Sequence, residues 1–193
     1  TSPLSLPDSL PSFVRTTAHC PVIDPALIDD AVNPLLEGEY NFVCNRLPPP
    51  WHRTYPIGLD VEACTFKVLE KAWKEAKEPQ HREHAMPYFY EGVQLITENR
   101  SLQTGTSPRG FKIALLNHTT DFGNYRWTVD TPEDLEFIRQ VYSRFDGRDD
   151  FSWMDVLDVV HNEPQLMQIN ASVQHKTLKD IDGRALKRPP FQR

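Results

Sequence analysis

A histidine, a cysteine and a proline meet at positions 19–21, within the stretch TTAHCPVIDP. An imidazole beside a thiol can act as a reactive pair, as ligands of a soft metal ion, or as packing at a strand end. A carboxylate of interest stands in NYRWTVDTPEDLEFIRQVY, where Asp130 separates a β-compatible run, Tyr125–Val129, from the start of a helix. Thr131 suits the N-cap, Pro132 the first helical position, and Asp134 the capping-box position three residues after the cap. These roles leave Asp130 over. At a strand end just before a helix N-terminus it lies where open α/β sheets bind their ligands. There a carboxylate can hold Mg²⁺, which favours oxygen ligands and bridges to phosphates, or it can simply help to cap the helix.

Two further groups carry charge in chemically useful patterns. In GLDVE, Asp60 and Glu62 are spaced by two, which on a strand puts both on one face. Like charges on one buried face are costly, so the pair must sit at a solvated edge or bind something. HREH, positions 81–84, joins Arg82 to two histidines; it reads either as a solvated helix entry or as an anion site, since Arg engages phosphate and carboxylate bidentately. The chain lacks H-E-x-x-H, G-x-S-x-G, G-x-x-x-x-G-K and G-x-G-x-x-G motifs, which removes the commonest zinc-protease, hydrolase, P-loop and dinucleotide readings.

Alternating strands and helices must position these residues. Phe13–Ala18 is β-compatible and is stopped by Pro21. DPALIDDAVNPLL reads as a helix capped by Asp24, with Leu27, Ile28, Ala31, Val32 and Leu35 as its apolar stripe. YNFVCN and IGLDVEACTF are β-compatible, and between them lies RLPPPWHRTYP, too proline-rich for a regular element and long enough to be functional. VLEKAWKEAK follows as a helix with Val68, Leu69, Ala72 and Trp73 on one side. EPQHREHAMPYFYEG turns into a helical or irregular aromatic segment, and FKIALLNHT is a strand. The capped helix after Asp130 sets Leu135, Ile138, Tyr142 and Phe145 on one face, and two helical pieces parted at Asn162–Pro164 close the fold. The domain expected is a layered α/β unit over residues 13–178, with an irregular segment 1–12 and a basic tail 179–193.

The composition restricts the partners. A chain of 193 residues supports one sizeable domain, and its net charge of −6 argues against general nucleic-acid binding and against an anionic membrane surface. No apolar run approaches the roughly 20 residues of a membrane span. The three widely spaced cysteines, Cys20, Cys44 and Cys64, form neither a zinc framework nor a disulfide scaffold. They fit a reducing cytosol, so a cytoplasmic location is expected. A first residue other than Met, followed by a Ser/Pro/Leu-rich opening, suggests a processed or truncated start.

Taken in series, AHCPVIDPALID, YNFVCN, YPIGLDVEACTFKVLEKAWKEA, REHAMPYFYE, YRWTVDTPEDLEFIRQVY and PQLMQINASVQHKTL resemble the SpsF-like cytidylyltransferases of spore-coat polysaccharide assembly, relatives of the enzymes that make CMP-sialic acid and CMP-Kdo. The resemblance runs from Val14 to about Leu178. It implies a GT-A-like nucleotide-diphospho-sugar transferase fold, a Rossmann-like three-layer sandwich with a mainly parallel sheet. It also implies a reaction in which a sugar or sugar acid attacks the α-phosphate of CTP and releases pyrophosphate, with Mg²⁺, or the softer Mn²⁺, as cofactor and a homodimer as oligomer. Carried over by residue, Asp130 matches a metal-binding, catalytic aspartate, and Asp60, Glu62, Arg82, Glu83 and His84 fall in segments facing the sugar, with Asn45 a further substrate-site candidate. Two features depart from the pattern. The opening loop Q-A-R-x-x-S-x-R-L-P-G-K has no counterpart, so the first strand-loop-helix is expected to be missing. His19 replaces the aspartate of T-A-D-C-P, the second metal ligand. Both lower the activity expected of this chain, and the alternative is a non-catalytic homologue that binds a sugar, a nucleotide or a partner protein.

Overall fold

A computed structural model describes residues 12–48, 53–78, 81–82 and 86–174. Glu83, His84, the opening segment 1–11 and the tail 179–193 lie outside the described residues. The core is a six-stranded sheet: β1 (Ser12–Arg15), β2 (Phe42–Cys44), β3 (Glu62–Thr65), β4 (Ile96–Asn99), β5 (Leu102–Thr106) and β6 (Lys112–Leu116). In space the order is β1-β3-β2-β6-β5-β4. Only β2 and β6 run parallel; the other four pairings are antiparallel. The expectation of a mainly parallel sheet is therefore corrected: among the described residues the sheet is mixed and mostly antiparallel. The reason lies partly in the β4–β5 hairpin, whose short NRS turn forces antiparallel pairing and which the hydrophobic pattern did not disclose.

The central strands show why both faces are covered. Val43, Ala63 and Ala114 enter one core, whereas Phe42, Cys44, Cys64, Ile113 and Leu115 enter another. These residues alternate with the two-residue period of the pleat, and nearly all are inaccessible, so each face needs its own layer. The first layer is α1 (Pro25–Leu36), α4 (Pro132–Tyr142) and α5 (Trp153–Asn162). The second is α2 (Phe66–Glu75) and the single helical turn α3 (Pro87–Tyr90). The three-layer expectation thus holds for the described residues. None of the described helices is long and apolar enough to cross a membrane.

Local chemistry sets the helix boundaries. Asp24 Oδ1 accepts from Ala26 N at 2.8 Å and caps α1, while its Oδ2 accepts from Trp153 N at 2.9 Å at the start of α5. One buried carboxylate therefore ties two helix N-termini together. Thr131 and Asp134 form the expected capping box of α4, and Ser152 and Asp155 repeat it on α5. Of the expected stripe on α1, Leu27, Ala31 and Leu35 are buried and Ile28 and Val32 are half-buried beside them.

Three expectations change. On α2, Val68 and Ala72 are buried but Trp73 is 71% exposed. On α4 the inward face is Asp134, Phe137, Ile138 and Val141, with Leu135 outside. The helix is rotated because a buried carboxylate belongs to its inner stripe. Tyr125–Val129 is not a strand; Arg126 makes an isolated parallel bridge with Ile57. Ile57 N donates to Tyr125 O and Trp127 N to Ile57 O, but the next donor, Val129 N, reaches His19 O at 2.8 Å. The segment changes partner midway, so no ladder forms.

Candidate active site

The pairing register brings one end of several elements level. Arg15, Glu62, Cys44 and Leu115 lie in one row across β1, β3, β2 and β6. Beyond that row, at the carboxyl ends of parallel β2 and β6, come Thr16–Cys20, Asn45–Arg46, Asp60 and Asn117–His118. Carboxyl ends of parallel strands are where α/β sheets place their ligands. Asp130 joins this edge because Val129 N and Thr128 Oγ1 both donate to His19 O, at 2.8 and 3.0 Å. His19, Cys20, Asp60 and Asp130 thus lie near one another along this edge. The Cys20 thiol registers this: burial pushes its pKa up, a 3.0 Å contact with Thr17 opposes that, and the charges of Asp60 and Asp130 add to the rise.

Asp60 is presented by Asn45. The buried Asn45 amide donates to Leu59 O at 2.6 Å, and its Oδ1 accepts from Val61 N at 2.9 Å, so it grips the chain on both sides of Asp60. Its polar atoms face the backbone, which makes Asn45 a holder of the edge. Asp60 itself receives two hydrogen bonds from Arg53, at 2.8 and 3.1 Å, with Arg46 Nε at 3.8 Å. Glu62 is buried and pairs with Arg15 of β1. The like-charge problem posed by Asp60 and Glu62 is solved by giving each carboxylate its own arginine. Arg15, Arg46 and Arg53 were not singled out from the sequence as site residues; Arg15, 47 residues from Glu62, gave no local cue at all.

Asp130 is held differently. Its Oδ2 accepts from Arg126 Nη2 at 2.8 Å, its side chain is 46% exposed, and its Oδ1 accepts no hydrogen bond among the described residues. Arg126 also makes a bidentate pair with the fully buried Asp134, Nε to Oδ1 and Nη2 to Oδ2, both at 2.8 Å. Asp134 Oδ2 accepts from the backbone N–H groups of Asp130 and Thr131 as well, each at 3.1 Å. Burial pulls the Asp134 pKa up, but the Arg126 and Asn170 hydrogen bonds, the Asp130 N–H and the Arg126 charge outweigh it and hold it at about 2.

The structure does not bring Arg82 to this edge. Its guanidinium lies over the Trp73 ring, 4.0 Å from the centroid, and donates to Trp73 O at 2.9 Å. Trp73 belongs to α2, on the opposite side of the sheet from α4. Cys44 and Cys64 are buried, with thiols pushed up by burial, Cys64 to about 12; they are packing residues.

His19 and Asp130 were expected to ligate a divalent ion. Among the described residues no three His, Cys, Asp or Glu groups are arranged to hold one. His19 is exposed, with Nε2 3.1 Å from Thr17 Oγ1. Asp130 supplies one hard anionic oxygen. That donor set fits Mg²⁺ only in the manner usual for phosphate substrates, with one or two carboxylates from the protein and the remaining ligands from phosphate and water.

A mixed α/β domain whose charged groups gather at the carboxyl ends of its parallel strands has the form of a nucleotidyltransferase-like fold. No protein-family model matches the chain. It is 29% identical over 172 residues to the uncharacterized protein MJ1063 of Methanocaldococcus jannaschii, covering 88% of this chain and 61% of that one. It is 24% identical over 155 residues to the spore coat polysaccharide biosynthesis protein SpsF of Bacillus subtilis, covering 79% and 55%. A solved cytidylyltransferase from Leptospira borgpetersenii superposes with a TM-score of 0.68 at 30% identity, over 86% of this chain and 61% of that one. The chain thus spans about three fifths of the length of the relatives it matches. Over most of its own length the chain is therefore similar to SpsF and to a solved cytidylyltransferase.

Proposed function

We propose that this chain carries the acceptor side of a cytidylyltransferase, in which a sugar or sugar-acid hydroxyl attacks the α-phosphate of CTP, for surface or spore-coat polysaccharide. The new bond joins the sugar oxygen to the α-phosphorus, the bond to the β-phosphate oxygen breaks, pyrophosphate leaves, and the hydroxyl proton passes to a base or to water. The observation that carries this reading is the half-exposed Asp130 carboxylate, fixed by Arg126 at the edge where Asp60 is presented. A divalent ion held by Asp130 would supply neutralisation of phosphate charge, the main requirement of phosphoryl transfer. The chain's own residues do the positioning. Asp60, braced by Arg53, serves as a hydroxyl acceptor at this edge, and Arg46 adds a cation beside it.

A second reading, binding without turnover, is favoured by His19, since an imidazole is a poor replacement for a Mg²⁺ carboxylate. CTP-dependent pyrophosphate release with a panel of sugar acids and Mg²⁺ or Mn²⁺ separates the two. Slow turnover is expected from the chain as it stands, and His19→Asp is expected to raise the rate about 10²-fold, the scale of one electrostatic stabiliser. Robust turnover by the unaltered chain overturns the binding reading. A His19→Asp chain no faster than its parent overturns the assignment of position 19 as a ligand site.

A further inference from the structure

Three arginines and two carboxylates meet where β1, β3 and β2 reach this edge. Arg15 pairs with the buried Glu62, and Arg53 makes two hydrogen bonds to Asp60, at 2.8 and 3.1 Å. Both carboxylates are thereby matched one to one, and Arg46 is left over. Its Nε stands 3.8 Å from Asp60 Oδ2, close enough to feel the charge but too far for a hydrogen bond. Among the described residues none of its five guanidinium N–H groups has a hydrogen-bond acceptor. The side chain is nevertheless only 24% exposed. Its backbone is fixed as well, because the preceding Asn45 grips Leu59 O and Val61 N on either side of Asp60. Arg46 is thus a half-buried cation with a full set of unmatched donors, held beside Asp60.

Resting on the reading of Asp60 as an acceptor-side residue, we propose that Arg46 is a specificity-determining residue that selects acceptors carrying an oxyanion, which it seats while Asp60 takes a hydroxyl of the same molecule. The charge count favours an anion. These five side chains carry three positive and two negative charges, so the group is net +1 when empty and neutral once a monoanion arrives. Arg53 already neutralises Asp60, so that carboxylate does not drive an incoming anion away. The donors favour an oxyanion in particular, because a planar guanidinium meets a carboxylate or phosphate with two parallel hydrogen bonds. A neutral sugar offers no such partner. It would displace water from Arg46 without replacing the lost hydrogen bonds, and the site rejects it on that ground.

Binding of D-glucuronate, D-glucose 6-phosphate and D-glucose to the full chain, read by saturation-transfer NMR titration, tests this without any need for turnover. At least one anionic probe is expected to bind about tenfold or more tightly than D-glucose, the scale of a charge-assisted hydrogen bond, and the tighter of the two names the oxyanion. Arg46→Met is expected to remove that advantage and leave the weak binding of D-glucose unchanged. Arg46→Lys, which keeps the charge but loses the fork, should retain part of it. A merely structural role would weaken all three probes alike. Near-ultraviolet circular dichroism, reporting the buried Trp127, establishes that each variant keeps its tertiary fold, and Arg46→Lys serves if the methionine chain does not. Anionic probes that bind no better than D-glucose, or that bind a folded Arg46→Met chain as well as its parent, overturn the role of Arg46. A loss on Arg46→Met confined to CTP places the anion on the nucleotide and overturns the acceptor assignment. Arg46-dependent binding of an anionic probe by a chain that releases no pyrophosphate from CTP overturns the transferase reading and leaves the anion seat standing.

Discussion

Asp134→Ala is expected to cost about 3–5 kcal/mol, the range for breaking a buried ion pair by removing one partner. A domain of this size holds only about 5–15 kcal/mol in all, so the variant should sit near the edge of folding. The loss has several sources. Arg126, 8% exposed, keeps its charge but loses its bidentate partner; the backbone N–H groups of Asp130 and Thr131 lose their acceptor; and one Asn170 proton is orphaned. Asp130 cannot compensate, because it is half in solvent and already receives Nη2. Urea unfolding measures the effect, and a midpoint within 1 kcal/mol of the parent, at roughly unchanged slope, would sink the claim. The same carboxylate predicts an acid limb. Its folded pKa, about 2, lies below the ordinary 3.8, so its stabilisation is fully present above pH 4 and is lost as pH falls from 4 through 2. That loss amounts to about 2 kcal/mol and should vanish from the acid unfolding curve of Asp134→Asn.

Asp134 also shows where a reading of the sequence stops. Its capping role was legible, because Thr131, Pro132 and Asp134 announce a helix start by spacing alone. Its second role was not, because nothing in TVDTPEDL says that the carboxylate points inward to an arginine eight residues back and an asparagine 36 residues ahead. Apolar periodicity put Leu135, Ile138, Tyr142 and Phe145 on one face of α4; Ile138 is buried but Leu135 is exposed, and the pattern left Asp134 out because a charged residue counts as outward in it. The chain instead turns the helix to bury an ion pair whose charges cancel. Helices bounded by caps and stripes were recovered, as α1 and α4 attest. What failed was long-range pairing. The β4–β5 hairpin, the mostly antiparallel sheet and the partner change of Tyr125–Val129 depend on which strand finds which neighbour, and a single sequence does not encode that locally.

The site divides along the same line. Asp130 and Asp60 were marked by residue type and position, and the structure sets both along the same edge. Asn45 was marked as a substrate contact and turns out to grip backbone, a distinction that only the direction of its amide reveals. Arg82 was grouped with the sugar side and lies across the sheet on Trp73. The arginines that balance the site, at 15, 46, 53 and 126, are unremarkable in sequence because charge balance is a property of the assembled edge. His19 keeps its place at this edge through its backbone carbonyl, which accepts from Thr128 and Val129 whatever side chain it carries. Position 19 can therefore change from aspartate to histidine without loss of the fold.

Gly58→Ala is expected to be strongly destabilising, because the site combines a positive φ with a backbone clash. Gly58 has φ +106°, and an added Cβ would fall 2.6 Å from the Trp127 carbonyl carbon and 2.7 Å from Thr128 N. Both atoms are backbone, and Trp127 N is itself bonded to Ile57 O at 2.7 Å, so neither strand of the contact can yield without breaking that bridge. The positive φ alone costs roughly 1–2 kcal/mol for a residue with a Cβ. Forced overpacking adds about 1–3 kcal/mol, giving an expected loss of about 3 kcal/mol or more. Gly147 is the control, with φ +81° and nothing within 4 Å of its would-be Cβ, so Gly147→Ala should show the φ cost alone. Equal losses in the two variants would refute the close approach as the cause. The consequence reaches the site, because the segment pressed against Trp127–Thr128 leads directly to Asp60, and Trp127–Thr128 leads to Asp130. Separating the two backbones moves both carboxylates at once, so on the proposed reading Gly58→Ala should also slow CTP-dependent pyrophosphate release at temperatures where the chain remains folded, whereas Gly147→Ala should leave it unchanged.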